Sequence, residues 1–210
     1  MTRAMTDDTE ALLTRLRTLS AGPRTLVAIA GAPGSGKSTL AETLQRALGD
    51  TAAAILPMDG FHYDDGLLSH LGRKARKGAP DTFDVGGLKT LLTRLRENVE
   101  PAIAVPLFDR SIEIARAGAA LIPREVPLVL VEGNYLLLNE APWDALAPLF
   151  DLTVFVAVEE AELARRLTAR WEGFGLGPDE VRRKVAENDL PNGRFVTTHS
   201  APADVVISAP

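Results

Sequence analysis

The chain contains no cysteine, and it has only three histidines: His62, His70 and His199. Without cysteine it can form no disulfide, use no thiol nucleophile and build no cysteine-based zinc site. Three histidines make a multi-histidine metal centre unexpected as well. Aromatic residues make up 5% of the chain, so little aromatic surface is expected for stacking a nucleobase.

Basic charge is also scarce, because 23 Lys and Arg face 28 Asp and Glu, a net charge of −5. A general affinity for nucleic acid needs a basic surface, which this balance argues against. No apolar run reaches the roughly 18–20 residues that a membrane helix needs. The first ten residues carry acids and lack an apolar core, unlike a secretory signal. We therefore expect a cytoplasmic protein that binds neither nucleic acid nor membrane.

Strands and helices alternate along the 210 residues, and we expect a single domain over 1–210. Short apolar runs predict strands at 25–30, 52–56, 127–131, 152–157 and 204–208. Helical spacing of apolar residues predicts helices at 11–19, 37–48, 88–95, 159–171 and 179–188. Within the domain we expect an N-terminal helix (about 1–22) and a hairpin-like insert (about 102–122). This order predicts an α/β three-layer sandwich around a mostly parallel five-stranded sheet.

A glycine-rich turn between the first strand and the next helix matches the pattern G-x-x-x-x-G-K-[ST], the P-loop. Its backbone N–H groups and the positive end of the helix favour a bound phosphate. Lys37 would reach the β- and γ-phosphates, and the Ser38 hydroxyl would bind Mg²⁺. The alternative, a turn that packs but binds nothing, is disfavoured by the strand-to-helix context. The predicted nucleotide-binding residues are Gly31, Ala32, Pro33, Gly34, Ser35, Gly36, Lys37, Ser38 and Thr39.

Two acidic residues follow predicted strands, where ligands gather in parallel sheets. Glu132 follows the strongest strand and would hold Mg²⁺ through its water shell. Asp59 follows the second strand, in Asp59-Gly60. It is either the base that deprotonates an acceptor hydroxyl or the cap of a turn, since Asp-Gly is a common turn dipeptide.

Three segments together resemble a known family: Pro57-Met-Asp-Gly-Phe-His62, Arg76-Lys-Gly-Ala-Pro-Asp-Thr-Phe-Asp84 and Val131-Glu-Gly133. Their order and spacing are similar to those of the phosphoribulokinase/uridine kinase/pantothenate kinase family, nearest its short bacterial fructokinase-like members. The resemblance covers about residues 26–207. It implies the P-loop NTPase fold, ATP and Mg²⁺ as cofactors, and Asp59 as the catalytic base.

The resemblance also implies a lid over about residues 159–178. Arg166 and Arg170 lie four residues apart on one face of the predicted helix, with Arg165 beside them. They would close over the phosphates and neutralise charge in the transition state, Arg170 as a catalytic residue. Glycines in 173–177 would allow the motion. The alternative is a solvated helix whose charges follow its dipole.

Recognition of the acceptor is assigned to His62, Tyr63, Lys77, Asp109, Arg110 and Glu113. Carboxylates and cationic donors are the groups that pair with the hydroxyls of a polyol. Lys77 and its neighbour Arg76 belong to a run of basic residues, 73–77, which could equally be a solvated surface. Residues 192–201 are expected to be a loop that contacts the nucleotide base.

The sequence thus predicts an ATP-dependent kinase that phosphorylates a hydroxyl of a small metabolite. A fructose-like sugar is the first choice of acceptor, a uridine-type nucleoside the second and pantothenate the third. The chain looks shorter than pantothenate kinases, and its insert lacks the tyrosine and histidine of uridine kinases. A nucleotide-dependent regulatory switch is the rival function, although the guanine-reading Asn-Lys-x-Asp sequence is missing. A homodimer is compatible with these features.

Overall fold

A parallel sheet forms the centre of the protein, for which a computed structural model describes residues 7–208. The strands in that range are β1 Thr25–Gly31, β2 Ala53–Pro57, β3 Ala102–Asp109, β4 Ile114–Pro123, β5 Leu128–Gly133, β6 Leu152–Ala157 and β7 Val205–Ser208. Five of them pair in parallel in the order β2-β5-β1-β6-β7, which confirms the predicted sheet. All five carboxyl ends therefore lie at one edge.

Helices cover both faces of this sheet. Their bounds are α1 Asp7–Leu19, α2 Lys37–Leu48, α3 Asp65–His70, α4 Val85–Glu97, α5 Glu160–Gly173, α6 Pro178–Lys184 and α7 Leu190–His199. The short α3 was not predicted from the sequence. Between residues 7 and 208, no helix combines the length and the apolar composition needed to cross a bilayer.

The two central strands, β1 and β5, are buried at every position, as expected for a parallel sheet covered on both faces. Alternate residues of β1 face opposite layers. Val27 and Ile29 pack with α1 and α2, through the buried side chains Leu12, Leu13, Leu16, Ala41 and Leu44. Leu26, Ala28 and Ala30 pack with α4, α7 and the segment Trp143–Leu149, through Leu88, Leu92, Leu95, Trp143, Leu146 and Val196. The result is the predicted three-layer sandwich.

The segment predicted as a hairpin-like insert forms the antiparallel pair β3–β4. Its register shifts between Val105 and Leu107, which marks a β-bulge. The extra residues lie in β4, where 117–119 face the single β3 residue Pro106. Pro106 lies against the turn Met58–Phe61 that follows β2. The hairpin therefore supports the segment that carries Asp59.

The expectation of a loop at 192–201 is wrong. The chain passes from α6 through a π-helical turn, Val185–Asp189, directly into α7. Pro191 and Gly193 suggest a turn in the sequence. Pro191, however, lies in the first turn of α7, and the carbonyl four residues earlier, on Glu187, accepts a hydrogen bond from Arg76 in place of the missing N–H. Gly193 faces Ala32, and a Cβ there would lie 3.4 Å from the Ala32 Cβ.

Two glycines allow close packing around Asp59. A Cβ on Gly60 would lie 2.6 Å from the carbonyl oxygen of Pro106 in β3. A Cβ on Gly133, the last residue of β5, would lie 2.4 Å from the Cβ of Met58. Both distances are shorter than real Cβ contacts, so any side chain would displace the backbone on either side of Asp59.

We predict that Gly133→Ala lowers the free energy of unfolding by about 1–3 kcal/mol, because the new methyl group overpacks the Met58 contact. Urea denaturation followed by circular dichroism measures this change. Gly173→Ala is the matched control, since nothing lies within 4 Å of a Cβ at Gly173. Equal stability of the two variants would contradict the packing argument.

Candidate active site

A cavity of about 520 Å³ opens at the carboxyl edge of the sheet. This volume is within the range of about 300–1,000 Å³ that is common for small-molecule sites. It contains P-loop residues, the two predicted acids and residues from the hairpin, from α5 and from the π-helical turn. The P-loop residues that line it are Pro33, Gly34, Gly36, Lys37, Ser38 and Thr39.

The P-loop connects β1 to α2, as its mechanism requires. Gly36 precedes the helix and provides no side-chain cap, so the N-terminal end of α2 faces the cavity without a competing side chain. Burial lowers the pKa of Lys37, while the negative charges of Glu132 and Asp59 act to raise it. The side chains of Ala32 and Ser35 and the backbone of Gly31 are buried outside the cavity lining, where they shape the loop.

Both predicted acids line this cavity, on neighbouring strands. Glu132 is the penultimate residue of β5 and lies opposite Pro57 of β2, two residues before Asp59. The Ser38 hydroxyl donates a hydrogen bond of 3.0 Å to Oε2 of Glu132. Burial raises the pKa of Glu132, although the Lys37 charge acts in the opposite direction. A hydrogen bond thus connects Ser38 and Glu132, the two residues that the sequence predicts as Mg²⁺ ligands.

Ser38 and Glu132 together offer the oxygen ligands that Mg²⁺ prefers. Within residues 7–208, no group of three or more Asp, Glu, His or Cys side chains could hold a metal ion by itself. Mg²⁺ characteristically keeps several waters and binds one or two protein oxygens plus substrate phosphates. The pair therefore fits a metal that arrives with a nucleotide.

Asp59 lies in a strongly charged environment. Its carboxylate pairs with the guanidinium of Arg110, which extends from the hairpin. Burial acts to raise the pKa of Asp59, but the positive charges of His62, Arg110 and Lys37 outweigh burial and lower it. Burial also lowers the pKa of His62 from 6.5, so at pH 7 the charges acting on Asp59 are those of Arg110 and Lys37. Asp59 is therefore ionised at neutral pH and able to accept a proton.

Four of the six residues predicted to bind the acceptor line the cavity: His62, Lys77, Arg110 and Glu113. Lys77 Nζ lies 2.6 Å from a carboxylate oxygen of Asp65 and 2.7 Å from the carbonyl oxygen of Glu113. Phe83 and Phe108 form a wall on either side of the His62 ring, with centroids 4.1 and 4.8 Å away.

Tyr63 and Asp109 do not line the cavity. The Tyr63 backbone N–H donates to the carbonyl of Thr82, and its ring is absent from the lining. The Asp109 carboxylate accepts hydrogen bonds from Ser111 and Arg116 within the hairpin. Asp109 is the last residue of β3 and is held within the hairpin by these bonds, whereas Arg110, the first residue of the turn, reaches Asp59.

The arginines of α5 lie on two faces of the helix, as their spacing predicts. Arg166 and Arg170 line the cavity, whereas Arg165 is exposed and pairs with Glu162. Arg166 donates to the carbonyl of Ser35 in the P-loop, at 3.1 Å, and also pairs with Glu162. Arg170 lies over the ring of Trp171; burial lowers its pKa, while the negative charges of Asp59 and Asp189 act to raise it. The turn after α5 contains Gly175 at φ +79°.

A strap of three residues, 76–78, is hydrogen-bonded to the chain around the π-helical turn. Arg76 donates to the carbonyl of Glu187 and to the side chain of Asn192. The Asn188 amide donates to the carbonyl of Lys77, and the Asn192 amide to that of Gly78. The strap and the turn consequently form one wall of the cavity.

Several cavity residues were missed by sequence reasoning: Asn134, Trp171, Lys184, Asn188, Asp189 and Asn192. Asn134 follows Glu132 by two residues, and its position just after a strand was a signal that could have been used. The others depend on the π-helical turn, which turns Asn188 and Asp189 inward. Such turns are frequent at functional sites, but no local sequence pattern predicts this one. The indole N–H of Trp171 donates to the Asp189 carboxylate at 2.6 Å.

Comparison with known proteins gives the same assignment. The model of the phosphoribulokinase / uridine kinase family matches residues 26–209. A candidate uridine kinase of Schizosaccharomyces pombe is 32% identical over 197 residues, which is 88% of this chain and 83% of that protein.

Solved structures agree. A candidate fructose transport system kinase from Silicibacter sp. TM1040 superimposes with a TM-score of 0.88 at 40% identity, covering 97% of this chain and all of the other. YFH7 from Saccharomyces cerevisiae, at 21% identity, shares the fold with a TM-score of 0.84 over 97% of this chain and 99% of its own.

The family match spans nearly the whole chain, and its P-loop, Asp59 and Glu132 meet in one cavity. The chain therefore belongs to the phosphoribulokinase / uridine kinase family of P-loop kinases.

Proposed function

We propose that this kinase transfers the γ-phosphate of ATP, with Mg²⁺, to a hydroxyl group of a small cytoplasmic metabolite, and that the metabolite is a sugar such as fructose. The observation that carries the proposal is that Lys37 and the Asp59 carboxylate line one cavity, together with Arg110 and Glu113 of the hairpin. A phosphate held at Lys37 and a hydroxyl held at Asp59 would face each other there.

The nucleotide would bind with its phosphates on the P-loop and α2. Lys37 would contact the β- and γ-phosphates, and Ser38 with Glu132 would hold Mg²⁺, which neutralises charge on the phosphate oxygens. Arg170 would add positive charge from the lid side as negative charge develops in the transition state. Arg166, already bonded to the P-loop, would hold that loop and the lid helix together.

In the proposed reaction, the acceptor oxygen forms a bond to the γ-phosphorus while the bond from that phosphorus to the β–γ bridging oxygen breaks. ADP leaves, and Asp59 takes the proton of the hydroxyl group. Arg110 pairs with Oδ2 of Asp59, so the proton would go to the other carboxylate oxygen, Oδ1.

A sugar is favoured because the acceptor side presents separate polar groups rather than a free aromatic face. His62, Arg110 and Glu113 offer donors and acceptors for several hydroxyls. Lys77 and Arg110 both lie over the ring of Phe108, at 5.3 and 5.6 Å from its centroid. The similarity to the Silicibacter kinase, 40% identical, supports the same choice.

A uridine-type nucleoside is the second candidate. The wall of Phe83, His62 and Phe108 could stack a pyrimidine ring, and the Schizosaccharomyces relative supports this reading. The two candidates separate in one experiment: MgATP with fructose, other hexoses, uridine, cytidine or pantothenate, followed by ADP release. A sugar-specific rise supports the first candidate and a nucleoside-specific rise the second. ATP binding with no acceptor effect would favour the regulatory switch.

We predict that Asp59→Asn lowers kcat with the best acceptor by about 10²–10⁴-fold, because the amide cannot take the hydroxyl proton. Binding of ATP, measured by calorimetry, should remain. Asp109→Asn is the matched control, since this neighbouring carboxylate lies outside the cavity and should retain nearly full activity. A fully active Asp59→Asn enzyme would disprove the assigned role.

We predict that Arg170→Ala lowers kcat by about 10²–10³-fold with a small effect on ATP binding, because the charge acts mainly in the transition state. Arg165→Ala, on the outer face of the same helix, should change kcat by less than about twofold. Steady-state assays of both variants measure the difference. Equal losses would show that the charge of α5 acts as a whole and not through Arg170.

A further inference from the structure

The amide oxygen of Asn134 lacks a hydrogen-bond partner although this residue lines the active-site cavity. It lies two residues after Glu132, where the chain leaves β5. Its amide oxygen is shielded from solvent, and no donor within residues 7–208 reaches it. Buried polar atoms of side chains are usually paired, and exceptions in a cavity commonly mark a missing ligand or water.

The surroundings of Asn134 are otherwise well paired. The hydroxyl of the next residue, Tyr135, donates to the carbonyl of Gly78, and Asn188 and Asn192 bond the strap. Gly133 and Tyr135 on either side are buried, so the backbone that carries Asn134 is held firmly. The unpaired amide oxygen therefore lies in a part of the cavity wall whose other polar groups are paired and whose backbone is firmly held.

We propose that Asn134 hydrogen-bonds a second hydroxyl of the acceptor and determines specificity for a polyhydroxylated substrate. The inference rests on the proposed function, because it needs an acceptor beside Asp59. An amide presents a donor at one end and an acceptor at the other, and a hydroxyl can satisfy either. Asn134 lines the same cavity as Asp59 and the proposed acceptor-side residues His62 and Phe83.

Two hydrogen bonds would then orient the acceptor. The hydroxyl to be phosphorylated would meet Asp59, and a second hydroxyl would meet Asn134 across the end of β5. Such a site rejects an analogue that lacks the second hydroxyl, because the buried amide is again left unpaired. Asn134 therefore recognises the substrate and does not transfer the proton.

The test removes the Asn134 amide from the protein and single hydroxyl groups from the substrate, separately and together. Fructose and its mono-deoxy analogues, or those of whichever acceptor stimulates the enzyme, are assayed with the wild type and with Asn134→Ala. One analogue should lose about ten- to a hundred-fold in kcat/KM with the wild type. The same analogue should lose less than about twofold further with Asn134→Ala, because the missing hydroxyl then has no partner to lose.

Controls separate this role from folding. Asn98 also has a buried, unpaired amide oxygen, but it lies at the end of α4, outside the cavity. Asn98→Gly should keep the wild-type pattern across the analogues. The thermal midpoint and the KM for ATP of Asn134→Ala should stay near the wild-type values. A less stable Asn134→Ala still yields a ratio between analogues, which does not depend on the amount of folded enzyme.

Three outcomes decide the proposal. Equal penalties for each analogue in both enzymes overturn the role of Asn134 and leave the proposed function intact. A raised KM for ATP with an unchanged preference among acceptors assigns Asn134 to the nucleotide and also overturns it. If no acceptor stimulates the wild type, the proposed function fails first, and this inference fails with it.

Discussion

Strand β5 pairs with β2 on one side and β1 on the other, in a register that sets Glu132 opposite Pro57 and Ile29. This pairing brings three separate parts of the sequence to one point: the P-loop after β1, Asp59 after β2 and Glu132 itself. A slip of one residue would turn the Glu132 side chain to the other face of the sheet and away from Ser38. The cavity exists because this register is fixed by strands buried on both faces.

The pKa values of the two carboxylates at this point, Asp59 and Glu132, are shifted in opposite directions. The pKa of Asp59 is lowered because the neighbouring positive charges outweigh its burial, while burial dominates at Glu132 and raises the pKa. Carboxylates whose environments separate their pKa values commonly have different roles in one site. Here the ionised Asp59 pairs with Arg110 of the hairpin, and Glu132 accepts a hydrogen bond from the P-loop serine.

Much of this arrangement could be predicted from the sequence, because local patterns determine it. The P-loop has a fixed spacing, the buried strands are short apolar runs, and acids after parallel strands meet at one edge. Other features depend on contacts between distant residues. Pro191 and Gly193 suggest a turn, but the helix continues, and a distant side chain, Arg76, bonds the Glu187 carbonyl that Pro191 cannot. The adjacent residues Asp109 and Arg110 looked equivalent in the sequence, and only their partners in the folded chain separate them.

The strap at 76–78 is joined to the chain near the end of α6 by side-chain hydrogen bonds and not by the sheet. The same hydrogen bonds therefore restrain substitutions at residues that are more than a hundred positions apart in sequence. A change at Asn192 removes one of the two hydrogen bonds of Arg76 and leaves the one to the carbonyl of Glu187, so a second change at Arg76 would cost less in that background than in the wild type. Divergence of the acceptor side among relatives should consequently proceed by paired substitutions, and grafting one segment without the other would transfer only half of the wall.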